Sequence, residues 1–199
     1  MGQPERYSRV YLLCAKMALD EKGEHVFPAF NSDGLVNGGT RVRAAKIMLE
    51  KKLTPAIFPV GGIDTDGFDK IAHIARLVSE ETEKSCPLYS MLGTQGNSTA
   101  IHDHLAKNPP APFMGYAQVG ILTEFYHLPR AMRMMFREQS AYHLVPVCAE
   151  AILFLDNNMD ALILRTYISM RHYLSPKAME RLLAEMRGLA ALERGSYGD

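Results

Sequence analysis

Short apolar runs with β-branched or aromatic residues recur along this chain, and stretches of helical spacing separate them. The runs are "RVYLLC" (9–14), "AIFPVG" (56–61), "PLYSML" (87–92), "AQVGILT" (117–123) and "YHLVPV" (142–147). Between the first four lie "TRVRAAKIMLEKK", "FDKIAHIARLVSEE" and "STAIHDHLAK", which place apolar residues at three- and four-residue intervals. Parallel strands need long crossovers, which helices supply, so the alternation predicts strands buried on both faces between two helical layers. The expected fold class is α/β: a Rossmann-like, doubly wound, mostly parallel sheet of about five strands, with a helical C-terminal appendage. Residues 1–148 form the expected sheet domain, and 149–199 form helices packed on it as part of a single globular unit.

Composition narrows the function classes. Among 199 residues, 47% hydrophobic content is enough for a full core, and Lys plus Arg (22) equals Asp plus Glu (22). Without a net field, neither nucleic acid nor an anionic membrane surface is an expected partner. Cys14, Cys86 and Cys148 are far apart and form no C-x-x-C pair, which disfavours a disulfide framework or structural zinc. The N-terminal apolar stretch is too short for a signal peptide or membrane span, so the expected location is the cytoplasm. Oligomeric state is left open, a homo-oligomer included.

In open parallel sheets ligands sit beyond the carboxyl ends of the strands, so the loops after each expected strand are the place to search. After the first strand comes a long connection, 15–40, whose length suits a lid, a binding loop or a small subdomain. It ends in "NGGTRVR", where Arg41 opposes the dipole of the helix it begins, an arrangement that makes sense beside a negative group. "VGGID" offers Gly61 and Gly62 for close backbone approach and Asp64 for a hydroxyl or cation. "GTQGNST" offers Gly96, Asn97, Ser98 and Thr99 as an anion nest, a helix cap, or both.

The densest cluster is "LTEFYHLPRA". Thr123, Glu124, Tyr126, His127 and Arg130 crowd into the turn between a strand and a helix, with Pro129 placed where a missing N–H costs nothing. Arg130 can grip phosphate or carboxylate, and His127 can serve as acid, base or orienting donor. The alternative is structural, with His127 as a cap and Arg130 paired with Glu124. No G-x-G-x-x-G, P-loop, H-E-x-x-H or G-x-S-x-G motif is present, so classical dinucleotide, P-loop, zinc-protease and serine-hydrolase chemistry is disfavoured, and no metal site is expected. His102 and His104, two apart on a helix, face different sides and make a poor metal pair.

In order and spacing, these loops resemble the YdcF, SanA and ElyC family, a bacterial domain of unknown function. "LTEFYHLPRA" resembles its Thr…Tyr-His-x-Pro-Arg-Ala strand end, "VGGID" its Ser-Gly-Gly turn, "RVRAAKIML" the helix led by Arg41, and "GNSTAIHDHL" its helix start at Thr99. The match spans roughly 9–147 and departs at Val60, Asp69, Gly96 and Glu124. The resemblance implies a small-molecule site, with adenosyl-type ligands suggested for some members. The leading expectation is a phosphate-bearing, anionic or nucleotide-like ligand at the strand ends, with transfer or hydrolysis as a further step. Gly61, Gly62, Gly96, Asn97, Ser98 and Thr99 would cradle it, Arg41 and Arg130 would neutralise it, and His127 with Glu124 would handle protons. Two alternatives stand beside it: a non-catalytic sensor or scaffold that uses Met-rich helices, and an adenosyl-methionine-dependent methyltransferase. The cofactor is left unassigned.

Overall fold

A computed structural model describes residues 7–14, 17–28, 37–61, 69–82, 97–110, 118–137, 142–156 and 176–195. Four strands form one sheet: β1 (Arg9–Leu13), β4 (Ile57–Val60), β5 (Gln118–Thr123) and β6 (His143–Cys148). Their order is β4-β1-β5-β6, and every pairing is parallel. The expected strand at 87–92 lies outside the described residues. β2 (Ala18–Leu19) and β3 (His25–Val26) pair as a small antiparallel hairpin inside the long first connection, turning at Gly23 with φ 78°. Asp20 holds that turn by accepting from the Lys22 and Glu24 amides, both at 2.9 Å.

The helices are α1 (Gly38–Glu50), α2 (Lys70–Thr82), α3 (Asn97–Lys107), α4 (Leu128–Arg137), α5 (Ala149–Leu153) and α6 (Pro176–Glu193). Several starts follow from local chemistry. Asp69 caps α2 by accepting from Ile71 and Ala72 N–H at 3.1 and 3.0 Å. Pro129 and Pro176 occupy first turns, where their rings are tolerated. Among the described strands, proline occurs only in the outer two, at Pro59 and Pro146, where a missing ladder donor is least damaging.

Alternate residues of each strand feed opposite cores, as the two-residue period of a strand requires. Val10, Leu12, Ile57, Leu122 and Val147 pack with α1, α2 and α5. Tyr11, Leu13, Val60, Ile121 and Leu144 pack with α3 and α4. The sheet is therefore wound on both faces, the α/β arrangement that the alternation of runs predicts. Within it Gly120 is a packing requirement: a Cβ there would lie 2.9 Å from both Val10 Cγ2 and Val147 Cγ2. Among the described residues, no helix is long and apolar enough to cross a membrane.

This strand order fixes the place to look for a ligand. From β1 the sheet continues to β4 on one side and to β5 and β6 on the other, so the order reverses between β1 and β5. The carboxyl ends of those two strands flank the crevice where open α/β sheets bind ligands.

Candidate functional site

Arg41 lies in the first turn of α1, and Glu124 directly follows β5. Arg41 donates from Nη1 to the Leu13 carbonyl at the end of β1, and its Nη2 pairs with Oε2 of Glu124. One guanidinium therefore ties together the two strand ends that flank the switch point. The pair is buried: the Glu124 side chain is 0% exposed and that of Arg41 is 8% exposed. The backbone explains why Glu124 faces inward. Its carbonyl accepts from the amides of His127 and Leu128 at 3.0 and 3.1 Å, and its side chain caps nothing, which leaves the carboxylate for Arg41. Thr123, fully buried, donates to the same Oε2 at 3.2 Å.

Two atoms of this pair are unsatisfied. Glu124 Oε1 and Arg41 Nε, like Arg9 Nε elsewhere, are buried and have no hydrogen-bond partner among the described residues. A buried polar atom left unpaired costs about 1–3 kcal/mol, more when the group is charged.

Glu150, on α5, closes the turn from the other side. Its carboxylate accepts from the Phe125 amide at 3.0 Å and from the Cys148 thiol at 3.2 Å. Burial first, and then the charge of Glu150, push the Cys148 thiol up to about 12, so it is a poor nucleophile here. Tyr126 is buried beneath Arg181, whose guanidinium carbon sits 5.4 Å from its ring centre. Burial, followed by the charge of Glu124, pushes its phenol up to about 12.

A second cluster joins α4 to α6. Glu185 is 6% exposed by side chain, and its Oε2 accepts from Arg130 Nε at 2.5 Å. Arg130 Nη2 lies 3.3 Å from Glu185 Oε1 and 3.0 Å from His127 Nδ1. His127 Nδ1 is in turn 3.3 Å from Glu185 Oε2. When Nδ1 carries a proton it donates to Glu185; when it does not, it accepts from Arg130. Burial opposes ionisation of Glu185, but hydrogen bonding and charge from His127, then from Arg130, outweigh it and hold the carboxyl below its ordinary range. Arg181, one turn away on α6, adds a contact at 3.3 Å.

The turn's polar residues are therefore brought together, with partners the local sequence does not name. Arg130 pairs with Glu185 rather than with Glu124, and Glu124 pairs with Arg41. Gly61 is buried directly after β4, while Asn97, Ser98 and Thr99 form the first turn of α3, with Ser98 buried. Gly62, Asp64 and Gly96 lie outside the described residues. Arg43 pairs with Asp156 at 2.8 Å and stays half-exposed. His102 and His104 face apart, His102 toward the Met135 carbonyl at 3.1 Å and His104 toward the Tyr11 hydroxyl at 2.6 Å. Burial, aided by Arg9, lowers the His104 pKa, consistent with a neutral core histidine. Among the described residues no three His, Cys, Asp or Glu side chains form a metal site.

Glu185 and Glu150 are the charged residues sequence reasoning missed. A signal for Glu185 exists: the buried residues of α6 are Ala178, Glu185 and Leu192, one every seven positions, so a carboxylate occupies the inward seam. Comparisons with models of known families, with curated proteins and with solved structures find no match to this chain.

Proposed function

We propose that this chain is a YdcF-like small-molecule-binding protein of a reducing compartment, and that it holds a nucleotide-like ligand at the switch point between β1 and β5. The observation that carries this reading is the buried Arg41–Glu124 pair, with one free acceptor and one free donor at the strand ends. Arg41 and Arg130 are each matched by a carboxylate, so a ligand here would meet paired rather than free guanidinium groups. His127, whose Nδ1 lies 3.3 Å from Glu185 Oε2, would be the group that exchanges a proton with a bound ligand.

The test is thermal stabilisation of the wild type and of an Arg41→Met/Glu124→Leu double variant. The panel comprises nucleotides, adenosyl-methionine, sugar phosphates and a prenyl phosphate, each with and without magnesium. A ligand at a hundred times its dissociation constant adds about 2.7 kcal/mol. A nucleotide that raises the wild-type midpoint and leaves the double variant unmoved supports the reading, whereas no nucleotide effect on either protein removes it.

A second reading, a partner-binding scaffold, is favoured by one observation. Met179, Leu183 and Met186 follow one another along α6 at helical spacing and are 55%, 46% and 62% exposed. Sedimentation at increasing concentration tests it for self-association. A monomer at all concentrations, unchanged by Leu183→Glu, removes that form of it.

A further inference from the structure

We propose that the groove between the β2–β3 hairpin and α2 is a second binding site, and that its ligand is a small zwitterion of tripeptide length, with an ammonium at one end and a carboxylate at the other. The proposal does not depend on the nucleotide reading of the strand-end crevice.

The cavity holds about 650 Å³, a volume that suits a small molecule, and is lined by Glu24 and His25 from the hairpin and by Asp69, His73 and Arg76 on the α2 side. The sequence builds both walls. Asp69, Ala72, His73 and Arg76 stand at i, i+3, i+4 and i+7, so they share one helix face. Ile71, Ile74, Ala75 and Val78, on the other face, are buried. Opposite the polar face, the tight turn at Gly23 brings Glu24 and His25 to the cavity.

Position along α2 separates the charges. The His73 ring stacks on Phe27, with centres 5.9 Å apart and planes at 31°, and Phe27 packs against the core. Arg76 Nη2 donates to His73 Nδ1 at 3.3 Å, so an anchored imidazole holds the guanidinium at one end of the groove. That end offers N–H donors to a carboxylate. Asp69 stands seven residues earlier, about 10 Å away along the helix axis. Its Oδ1 accepts from the Ile71 and Ala72 amides, and Glu24 adds a second carboxylate from the hairpin. A simple anion would meet those two carboxylates, and a simple cation would meet Arg76. A zwitterion is matched at both ends, and three extended residues reach about 10 Å, the separation of the two charges on α2.

The experiment is titration with triglycine, N-acetyl-triglycine, triglycinamide and glycine, followed through the His73 imidazole by nuclear magnetic resonance, on the wild type, Asp69→Asn and Arg76→Gln. Asparagine keeps the helix cap while removing its charge. Triglycine is expected to shift the His73 signals saturably. Each other probe reaches only one charged end and is expected to bind about tenfold less tightly, the effect of losing one charge-assisted contact. Asp69→Asn should bind triglycine and its N-acetyl form alike, and Arg76→Gln should bind triglycine and triglycinamide alike. If the wild type binds N-acetyl-triglycine as well as triglycine but rejects the amide, the groove is an anion site and the zwitterion assignment is overturned. Equal binding of all four probes, or His73 signals that triglycine leaves in place, overturns it as well. Circular dichroism checks that the variants are folded, and the four wild-type titrations decide the matter should either variant fail to fold.

Discussion

Arg41 holds the end of β1 through the Leu13 carbonyl and the end of β5 through Glu124, so one side chain spans the point at which the strand order reverses. Breaking a buried pair strands a charge, whereas replacing both partners removes the problem. Arg41→Ala and Glu124→Ala are each expected to cost about 3–5 kcal/mol, and Arg41→Met/Glu124→Leu much less than their sum. Urea denaturation of the three variants gives the coupling energy. Additive costs would show that the two side chains do not act as a pair.

Glu185 fastens α6 to the turn through Arg130 and His127. Its folded pKa lies below the ordinary value of 4.5, so its stabilisation is complete above that value and is lost as pH falls through the folded pKa. Glu185→Gln should lower stability by about 2 kcal/mol at neutral pH. The gap between wild type and variant should close as the medium is acidified below about 4.5. Denaturation curves at a series of pH values measure this gap, and a constant gap would refute the assignment.

Tyr126 titrates in the opposite direction. Its phenol is raised from 10.0 to about 12, so the neutral form is the one the fold favours. The associated stability is present below pH 10 and is lost as pH rises toward 12. Ultraviolet titration of wild type against Tyr126→Phe should show no Tyr126 phenolate at pH 10.5 or so, and normal titration there would contradict the burial that causes the shift.

Gly120 sits in β5 between Val10 and Val147. Gly120→Ala should destabilise by about 1–3 kcal/mol, the usual cost of overfilling a packed interior. Val147→Ala in the same chain should recover part of that loss by making room on one side. Thermal melts of the single and double variants test this, and a neutral Gly120→Ala would show that the sheet gives way easily.

The four strands of the sheet were legible because short apolar runs between amphipathic stretches are a local signal. Pro129 likewise marked the start of α4 from its own chemistry. The turn 123–130 was legible as a concentration of polar side chains, but their partners were not. Arg41 and Glu124 come from elements remote in sequence, and only the topology of the sheet sets β1 beside β5. Local spacing suggested Glu124 for Arg130, yet Glu124 turns inward because its backbone starts the helical turn. Arg130 then finds Glu185, delivered by a C-terminal helix whose docking position no local pattern specifies. The hairpin in the long first connection was hidden for a related reason, since strands of two residues carry almost no periodicity.

The most direct test of the central claim is the nuclear magnetic resonance signal of the Arg41 Nε–H, assigned by its loss in Arg41→Lys and followed as adenosine diphosphate is added. The account predicts that this resonance shifts and becomes protected from exchange at saturation, as its free donor acquires a partner, while the Arg130 Nε–H, already bound to Glu185, moves little. An Arg41 resonance that stays in place under saturating nucleotide would contradict the claim that the switch-point pair is the ligand site.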